Sequence, residues 1–352
     1  MTNPSPINWQ VLKQSIDRGR RNRWWRRKRA GKTGFFYVDA NGMRISDDTA
    51  LSRIKSLVIP PAWKYVRISP SASGRLQAIG VDTTGRIQYL YHQKFTDQMQ
   101  RKKFAKVEKF GEHLAPLRRA TNDHISLDGF PREKVLAVMI RLINSLYMRV
   151  GTDKSVRRYK TFGITTLQNR HLQIGRNGWL TFEFVGKSHV KHRKVLVDDE
   201  LCAILSELQR SRSNQKLFRY RDDEGKSRPI RPNDINQYLK SLTSTEFSSK
   251  DFRTWGATLL AATALADRGK VDEPEQVKKN INRAIRSVAE NLGNTPAVCR
   301  ASYIHPIVFK AYADGVVLER FTPRRARKGK RLEPEMEPEE YSLLQLLRDY
   351  RN

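Results

Sequence analysis

Cysteine is scarce in this sequence of 352 residues: only Cys202 and Cys299 occur, far apart in the chain. Two such residues cannot supply the dense disulfide framework of a small secreted domain, nor do they form a metal-type pair. Long hydrophobic runs are absent too, and none approaches the roughly 20 apolar residues of a membrane-spanning helix. The N-terminus lacks the apolar stretch of a secretion signal. We therefore expect an intracellular protein in a reducing compartment.

Acidic residues are also in deficit. The sequence has 36 Asp and Glu against 67 Lys and Arg, a net charge of +31. So large an excess attracts polyanions, and nucleic acid is the first candidate because neutralised phosphates release counterions. An anionic membrane surface is the rival. The length and the 38% hydrophobic content suffice for more than one core, so two domains plus tails are expected.

Two familiar site types lack their essential residues. Ala30-Gly31-Lys32-Thr33 resembles the end of a nucleotide-binding loop, but Arg26 stands where that motif requires glycine. His189 and His192 have no nearby carboxylate or thiol, which favours solvated or phosphate-facing histidines over a metal site. Neither ATP use nor a bound metal is indicated.

Hydrophobic patterns predict an α+β protein with a small β-rich N-terminal domain and a mainly helical second domain. Phe35–Val38 and Ile87–Tyr91 have the composition of strands, and residues 133–149 have helical periodicity. Within the second domain we predict a three-stranded β-sheet, with helices resuming at about residue 199 and continuing to 319. Its strands are expected at Gly163–Ile174, Trp179–Val185 and Arg193–Val197.

These patterns divide the chain into four segments: a basic N-terminal extension (1–34), the β-rich domain (35–95), the helical domain (96–319) and a charged C-terminal tail (320–352). The basic run Arg18–Lys32 suggests a solvated arm or a short surface helix, with a DNA-binding element as the alternative. The tail has a basic run at 324–331, an acidic stretch at 333–340 that could fold back on basic surface, and an amphipathic end from Tyr341.

Four dispersed segments carry residues suited to chemistry at a phosphate. They are Arg149-Val150-Gly151, Phe184-Val185-Gly186-Lys187, Lys250-Asp251-Phe252-Arg253-Thr254-Trp255 and Leu292-Gly293-Asn294-Thr295-Pro296, the last leading to Tyr303. Taken singly, each arginine could form a surface ion pair or cap a helix. Periodicity alone does not connect the four segments.

Together these segments resemble the type IB DNA topoisomerases, in the compact form of poxviruses and many bacteria. The resemblance covers roughly residues 35–318 and includes Ile59-Pro60-Pro61-Ala62-Trp63 and Gly80-Val81-Asp82. Lys-Asp-Phe-Arg-Thr-Trp and Gly-x-Thr-Pro-(x)6-Tyr are specific in combination. The resemblance implies that 35–95 binds DNA, that 96–319 is catalytic and that the two close as a C-shaped clamp around double-stranded DNA. A monomer, nucleoid-associated in the cytoplasm if bacterial, is expected.

The resemblance also implies residue roles. Tyr303 would attack the phosphodiester to give a 3′-phosphotyrosyl link, Arg149 and Arg253 would clamp the phosphate, and Lys187 would protonate the leaving 5′-oxygen. Because one phosphoester replaces another, no ATP or essential metal is required, and a divalent cation would at most stimulate. Tyr312 is a competing tyrosine nine residues after Tyr303, but the spacing favours Tyr303.

Asn294 departs from the family's most familiar members, which have histidine there. An amide can donate a hydrogen bond to a phosphoryl oxygen, but it cannot shuttle a proton. Its alternative role is a helix cap between Gly293 and Pro296. For DNA contacts, the resemblance indicates Gln88, Tyr89 and Tyr91, although core packing of the two tyrosines is the alternative. Lys154 and Arg157 are candidate phosphate contacts or ordinary surface charges.

Two other functions remain possible from the sequence. A tyrosine recombinase would share the nucleophile, the arginines and the lysine, but Lys250 stands where its characteristic histidine precedes Arg253. A non-catalytic DNA-binding protein would fit the charge, but it would not explain the ordered set of Arg149, Lys187, Arg253 and Tyr303.

Overall fold

A computed structural model of the chain describes residues 8–31, 34–209, 213–243, 246–318 and 336–350. The chain divides into two compact units between Lys103 and Phe104. A continuous helix, Gln93–Glu112, contains that division, which differs from the boundary at residue 95 expected from composition. Among the described helices, none is both long and apolar enough to cross a membrane.

The first unit is an antiparallel five-stranded sheet with a short helix against each face. In sequence order its elements are α1 (Trp9–Ile16), β1 (Trp25–Ala30), β2 (Gly34–Val38), α2 (Asp48–Ser56), β3 (Lys64–Ile68), β4 (Leu76–Val81) and β5 (Ile87–Tyr91). The strand order is β2-β1-β3-β4-β5. Alternate residues of β4 serve the two cores: Ala78 packs with Ile54 of α2, and Ile79 packs with Ile16 of α1.

Strand β1 comes from the basic run that was expected to be an arm or a surface helix. The high charge of the run is typical of an exposed arm, so the sequence does not indicate a strand. In the structure, Arg26 and Arg27 of this run donate hydrogen bonds to backbone carbonyls. The Arg27 guanidinium donates to the backbone carbonyls of Ile59, Pro60, Pro61 and Trp63. These bonds hold the Ile-Pro-Pro segment against the sheet, so Trp25–Ala30 belongs to the first unit rather than to a separate extension.

The second unit is mainly helical and carries one three-stranded sheet and one hairpin. Its helices are α3 (Gln93–Glu112, which begins in the first unit), α4 (Leu114–Ile125), α5 (Arg132–Leu146), α6 (Asp153–Tyr159), α7 (Asp199–Leu208), α8 (Pro232–Leu242), α9 (Ser249–Ala266), α10 (Pro274–Leu292), α11 (Pro296–Ser302), α12 (Pro306–Ala313) and α13 (Pro338–Asp349). Its strands are β6 (Leu172–Ile174), β7 (Trp179–Val185), β8 (Lys191–Val197), β9 (Arg219–Arg221) and β10 (Ser227–Pro229). Helix α5 is apolar around most of its circumference and lies in the core.

The predicted α+β class and the three-stranded sheet, of order β6-β7-β8, are confirmed, with two corrections. The first strand spans only Leu172–Ile174, since short 3-10 turns occupy much of the preceding segment and Thr166 Oγ1 accepts from the Gly163 N–H. The hairpin β9–β10 interrupts the region predicted to be wholly helical. Its turn is closed by Asp222, whose carboxylate accepts from the Lys226 N–H.

Helix α13, from the predicted charged tail, packs on the second unit. Glu340 is buried and receives two hydrogen bonds of 2.7 Å from the Arg118 guanidinium of α4. Leu343 and Leu347 are buried beside it. Thus one acidic residue of the 333–340 stretch does meet a basic partner. The basic run at 324–331 lies outside the described residues.

Candidate active site

The C-terminal end of α10 brings two of the predicted arginines together. Arg253, on α9, is only 4% exposed, and its Nη2 donates to the Leu292 carbonyl at 3.0 Å. Arg149 Nη1 approaches the same carbonyl at 3.5 Å. Arg253 Nη1 also donates to the carbonyl of Tyr147, the left-handed cap that ends α5. Cations are favoured at the negative end of a helix dipole, so α10 stabilises the paired guanidinium groups.

Asn294 follows directly, in the turn between α10 and α11. Gly293, with φ of 59°, ends α10, and the Thr295 side chain caps α11. Asn294 is therefore not the cap of α11, and its Oδ1 instead accepts a short hydrogen bond from Arg149 Nη2. The Asn294 Nδ2 and Arg253 Nε atoms are both buried. Among the described residues, neither atom has an acceptor with good hydrogen-bond distance and angle. Buried donors of this kind are costly unless an acceptor reaches them.

Tyr303 lies beside these groups at the end of α11. The Arg253 guanidinium carbon is 5.2 Å from the centre of the Tyr303 ring, and Thr258 Oγ1 of α9 donates to the Tyr303 carbonyl at 3.3 Å. Burial alone would raise the pKa of the Tyr303 phenol. The charge of Arg253, its hydrogen bonding and the charge of Arg149 outweigh burial, so the net effect is to lower that pKa. The competing Tyr312 is buried and hydrogen-bonded to Asn280 and Gly269.

Lys187 lies where β7 turns into β8. Ser188 and His189, immediately after it, both have positive φ, which turns the chain sharply. The Lys187 side chain is exposed, and it lines the same small cavity as Arg149, Arg253 and Leu292. The structure thus gathers Arg149, Arg253, Asn294 and Tyr303 around one point, with Lys187 at the edge of the cavity.

Two residues of β8, His192 and Lys194, border the same cavity, and sequence reasoning did not assign them to it. His192 stacks on Phe184, and Cβ atoms added at Gly186 and Gly293 would lie 2.6 Å and 2.2 Å from its ring. Burial, with Lys194 and the two arginines, lowers the pKa of His192 to about 4, so this histidine is neutral and packed rather than solvated. The alternation of faces along a strand could have indicated that His192 and Lys194 lie on the same side of β8.

The remaining predicted contacts are distributed over other elements. Tyr89 and Tyr91 are 45% and 43% exposed on the edge strand β5, with their rings stacked 6.2 Å apart. They are therefore not core residues of the first unit. Gln88 donates to Asp82. Lys154 and Arg157 are exposed on α6. Within the described ranges, no group of three or more His, Cys, Asp or Glu residues is placed to hold a metal ion.

Comparison with known proteins decides the family. Residues 92–317 match the model for the catalytic core of eukaryotic DNA topoisomerase I, and residues 34–82 match that for the N-terminal domain of bacterial DNA topoisomerase IB. The chain belongs to the type IB DNA topoisomerases. It is 30% identical over 295 residues to DNA topoisomerase 1B of Acanthamoeba polyphaga mimivirus, covering 82% of this chain and 87% of that protein.

A second relative is more distant but equally complete. DNA topoisomerase 1B of vaccinia virus (strain Copenhagen) is 24% identical over 291 residues, covering 80% of this chain and 89% of that protein. The predicted recognition, fold class and enzyme type are therefore confirmed: this type IB topoisomerase is an enzyme that changes DNA topology. Helix α13 lies beyond the residues matched by the catalytic-core model.

Proposed function

We propose that this type IB topoisomerase relaxes supercoiled duplex DNA through a transient covalent link to Tyr303. The phenol oxygen attacks the phosphorus, a Tyr303–phosphate bond forms, and the bond from phosphorus to the 5′-oxygen breaks. The phosphate stays on the 3′ side, and the free 5′ strand rotates before the reverse reaction reseals it. The observation that carries this proposal is Arg253 over the Tyr303 ring beside Arg149 and Asn294.

Each neighbouring group meets one chemical requirement of transferring the DNA phosphate to Tyr303. The transition state places negative charge on the non-bridging oxygens, where two guanidinium groups supply preorganised donors. Arg253 Nε and Asn294 Nδ2, whose hydrogen-bond geometry is incomplete in the protein alone, would be satisfied by the same oxygens. The lowered pKa of Tyr303 favours transfer of the phenol proton to solvent water as the new bond forms.

Lys187 is assigned to the leaving group. Once the bond to the 5′-oxygen breaks, that alkoxide requires a proton. The Lys187 ammonium, at the turn between β7 and β8, lines the cavity and can donate it. In religation the same lysine takes the proton back as the 5′-hydroxyl attacks the phosphotyrosine. Two phosphoesters of similar energy are exchanged, so the cycle runs without ATP and without an essential metal.

DNA binding outside the site is assigned to exposed residues of both units. Stacked Tyr89 and Tyr91 offer a flat aromatic surface beside Gln88, and Lys154 and Arg157 offer charge to phosphates. The substrate is double-stranded DNA, and the protein acts as a monomer. The C-shaped clamp stays a prediction.

The test is incubation with supercoiled plasmid in a metal chelator and without ATP, stopped by denaturant. Relaxed plasmid and a protein–DNA adduct are expected together. Relaxation that depends on ATP or on a metal, or without any trapped adduct, would refute the proposal. A recombinase would instead exchange strands between paired specific sites.

A further inference from the structure

Strand β8 presents a second lysine to the catalytic cavity. Exposure alternates along this strand: Lys191 and Arg193 are exposed, whereas His192 and Lys194 are half-buried on the face toward α10. Lys194 Nζ donates to the carbonyl of Asn291 in the last turn of α10. It also lines the cavity that Arg149 and Lys187 line.

The end of α10 explains why this lysine finds an acceptor there. A helix leaves its last four carbonyls without partners of its own. Here the turn satisfies two, because Asn294 N donates to Ala289 and Gly293 N donates to Glu290. The other two receive cations: Asn291 accepts from Lys194, and Leu292 accepts from both arginines. Three positive groups are thus fixed along consecutive carbonyls.

In the protein without DNA, the three positive charges of this cluster repel one another. Burial is the main cause that lowers the pKa of Lys194 to about 8, and the charges of Arg253 and Arg149 act in the same direction. All three disfavour the ammonium form. His192 is neutral and offers no compensating charge. A bound phosphodiester would supply the missing negative charge, and it would raise the preference of Lys194 for its proton.

We propose that Lys194 is a further catalytic residue of this enzyme, whose ammonium group contacts the DNA phosphate at the cleavage site beside Arg149 and Arg253. This rests on the proposed function, because the phosphate is the one that Tyr303 attacks. Lys194 differs from the arginines in that its charge can be lost within the working pH range. At limiting DNA, where the rate reflects the free enzyme, cleavage should therefore slow above pH 8 as Lys194 deprotonates.

Lys194→Met tests the contact, because it keeps the apolar stem and removes the charge. The matched control is Lys191→Met, an exposed lysine three residues earlier on the same strand. Initial rates of adduct formation on supercoiled plasmid are measured at pH 7, with thermal unfolding of each variant. We expect Lys194→Met to be slower than the control by about tenfold or more, the effect of deleting a hydrogen bond from a charged group.

Lys194→Arg tests the charge, since arginine stays protonated. The rate at pH 9 relative to pH 7, both at limiting DNA, is compared with that of the wild type. Arg149, Arg253, Lys187 and His192 also line this cavity, and Tyr303 lies against Arg253, but all of these groups are present in both proteins and cancel in the comparison. The wild type should lose rate at pH 9 and Lys194→Arg should retain it. A packing role alone would not change this ratio.

The proposal is overturned if Lys194→Met stays within about twofold of the control, or if Lys194→Arg declines at pH 9 as the wild type does. Either result leaves the proposed function intact, provided that the wild type forms its adduct. A wild-type protein that forms no adduct overturns the proposed function and, with it, the role of Lys194.

Discussion

The guanidinium of Arg253 lies over the ring of Tyr303, 5.2 Å from its centre. Helix α9 fixes the positions of both residues. That helix carries Arg253 and, five residues further on, Thr258, whose hydroxyl donates to the backbone carbonyl of Tyr303. The nucleophile proposed here and its main charge partner are therefore positioned by one rigid element, which limits their relative movement.

Tyr303→Phe should abolish plasmid relaxation and adduct formation while sparing DNA binding, because only the attacking oxygen is lost. Relaxation is measured on gels and binding by filter retention at fixed salt. Tyr312→Phe is the control: it removes a buried hydroxyl that bonds Asn280 and Gly269, so it should lower stability and keep activity. Relaxation by Tyr303→Phe would show that another group is the nucleophile.

Lys187→Ala should slow cleavage by about a hundredfold to ten-thousandfold, the usual contribution of a general acid. A DNA substrate with a bridging 5′-sulfur should restore much of the rate, since a thiolate leaves without a proton. Lys191→Ala, which changes the exposed lysine at the start of β8, should cleave at nearly the wild-type rate. Equal slowing of the oxygen and sulfur substrates would argue against proton donation by Lys187.

Gly293→Ala should destabilise the protein by about 1–3 kcal/mol and slow cleavage. The new Cβ would lie 2.2 Å from the His192 ring, and φ at this position is positive. Adding His192→Ala should recover the part caused by the clash but not the backbone part. The measurement is denaturant unfolding of both single variants and the double variant. Strict additivity would mean that the contact with His192 is unimportant.

Stability should fall as the pH is lowered from about 6.5 to 4, partly through His305. Burial lowers the pKa of His305 to about 4, so the unfolded chain binds the proton first and acid favours unfolding. His305→Asn keeps an acceptor for the Ile307 N–H that begins α12 and removes the titration. Thermal midpoints between pH 7 and 4.5 should therefore decline less steeply in the variant. An unchanged slope would exclude this contribution.

Glu340→Gln should lower the free energy of unfolding by about 3 kcal/mol, because it removes the carboxylate charge from a largely buried ion pair with the Arg118 guanidinium. Glu339→Gln, at the exposed neighbouring position, should change it by less than about 0.5 kcal/mol. Urea unfolding measures both. Equal effects would mean that the ion pair does not anchor α13.

The sequence predicts what local patterns control. The periodicity of α5 is visible because a buried helix is apolar for several turns, and the spacing from Asn294 to Tyr303 follows from one cap and one short helix. Strand β1 was missed because the carbonyl partners of its central Arg27 lie more than 30 residues away in the sequence. Lys194 was missed for a similar reason, since its position beside the cavity depends on how strands β7 and β8 pack on α10.

Covalent catalysis by Tyr303 is tested most directly by identifying the amino acid that becomes linked to DNA. The protein is incubated with supercoiled plasmid, denatured and digested with protease and nuclease, and the nucleotide-bearing peptide is sequenced by mass spectrometry. We expect a phosphodiester on Tyr303, with the phosphate joined to the 3′ side of the cut. A nucleotide on Tyr312 or any other residue, or a phosphate retained on the 5′ side, would contradict it.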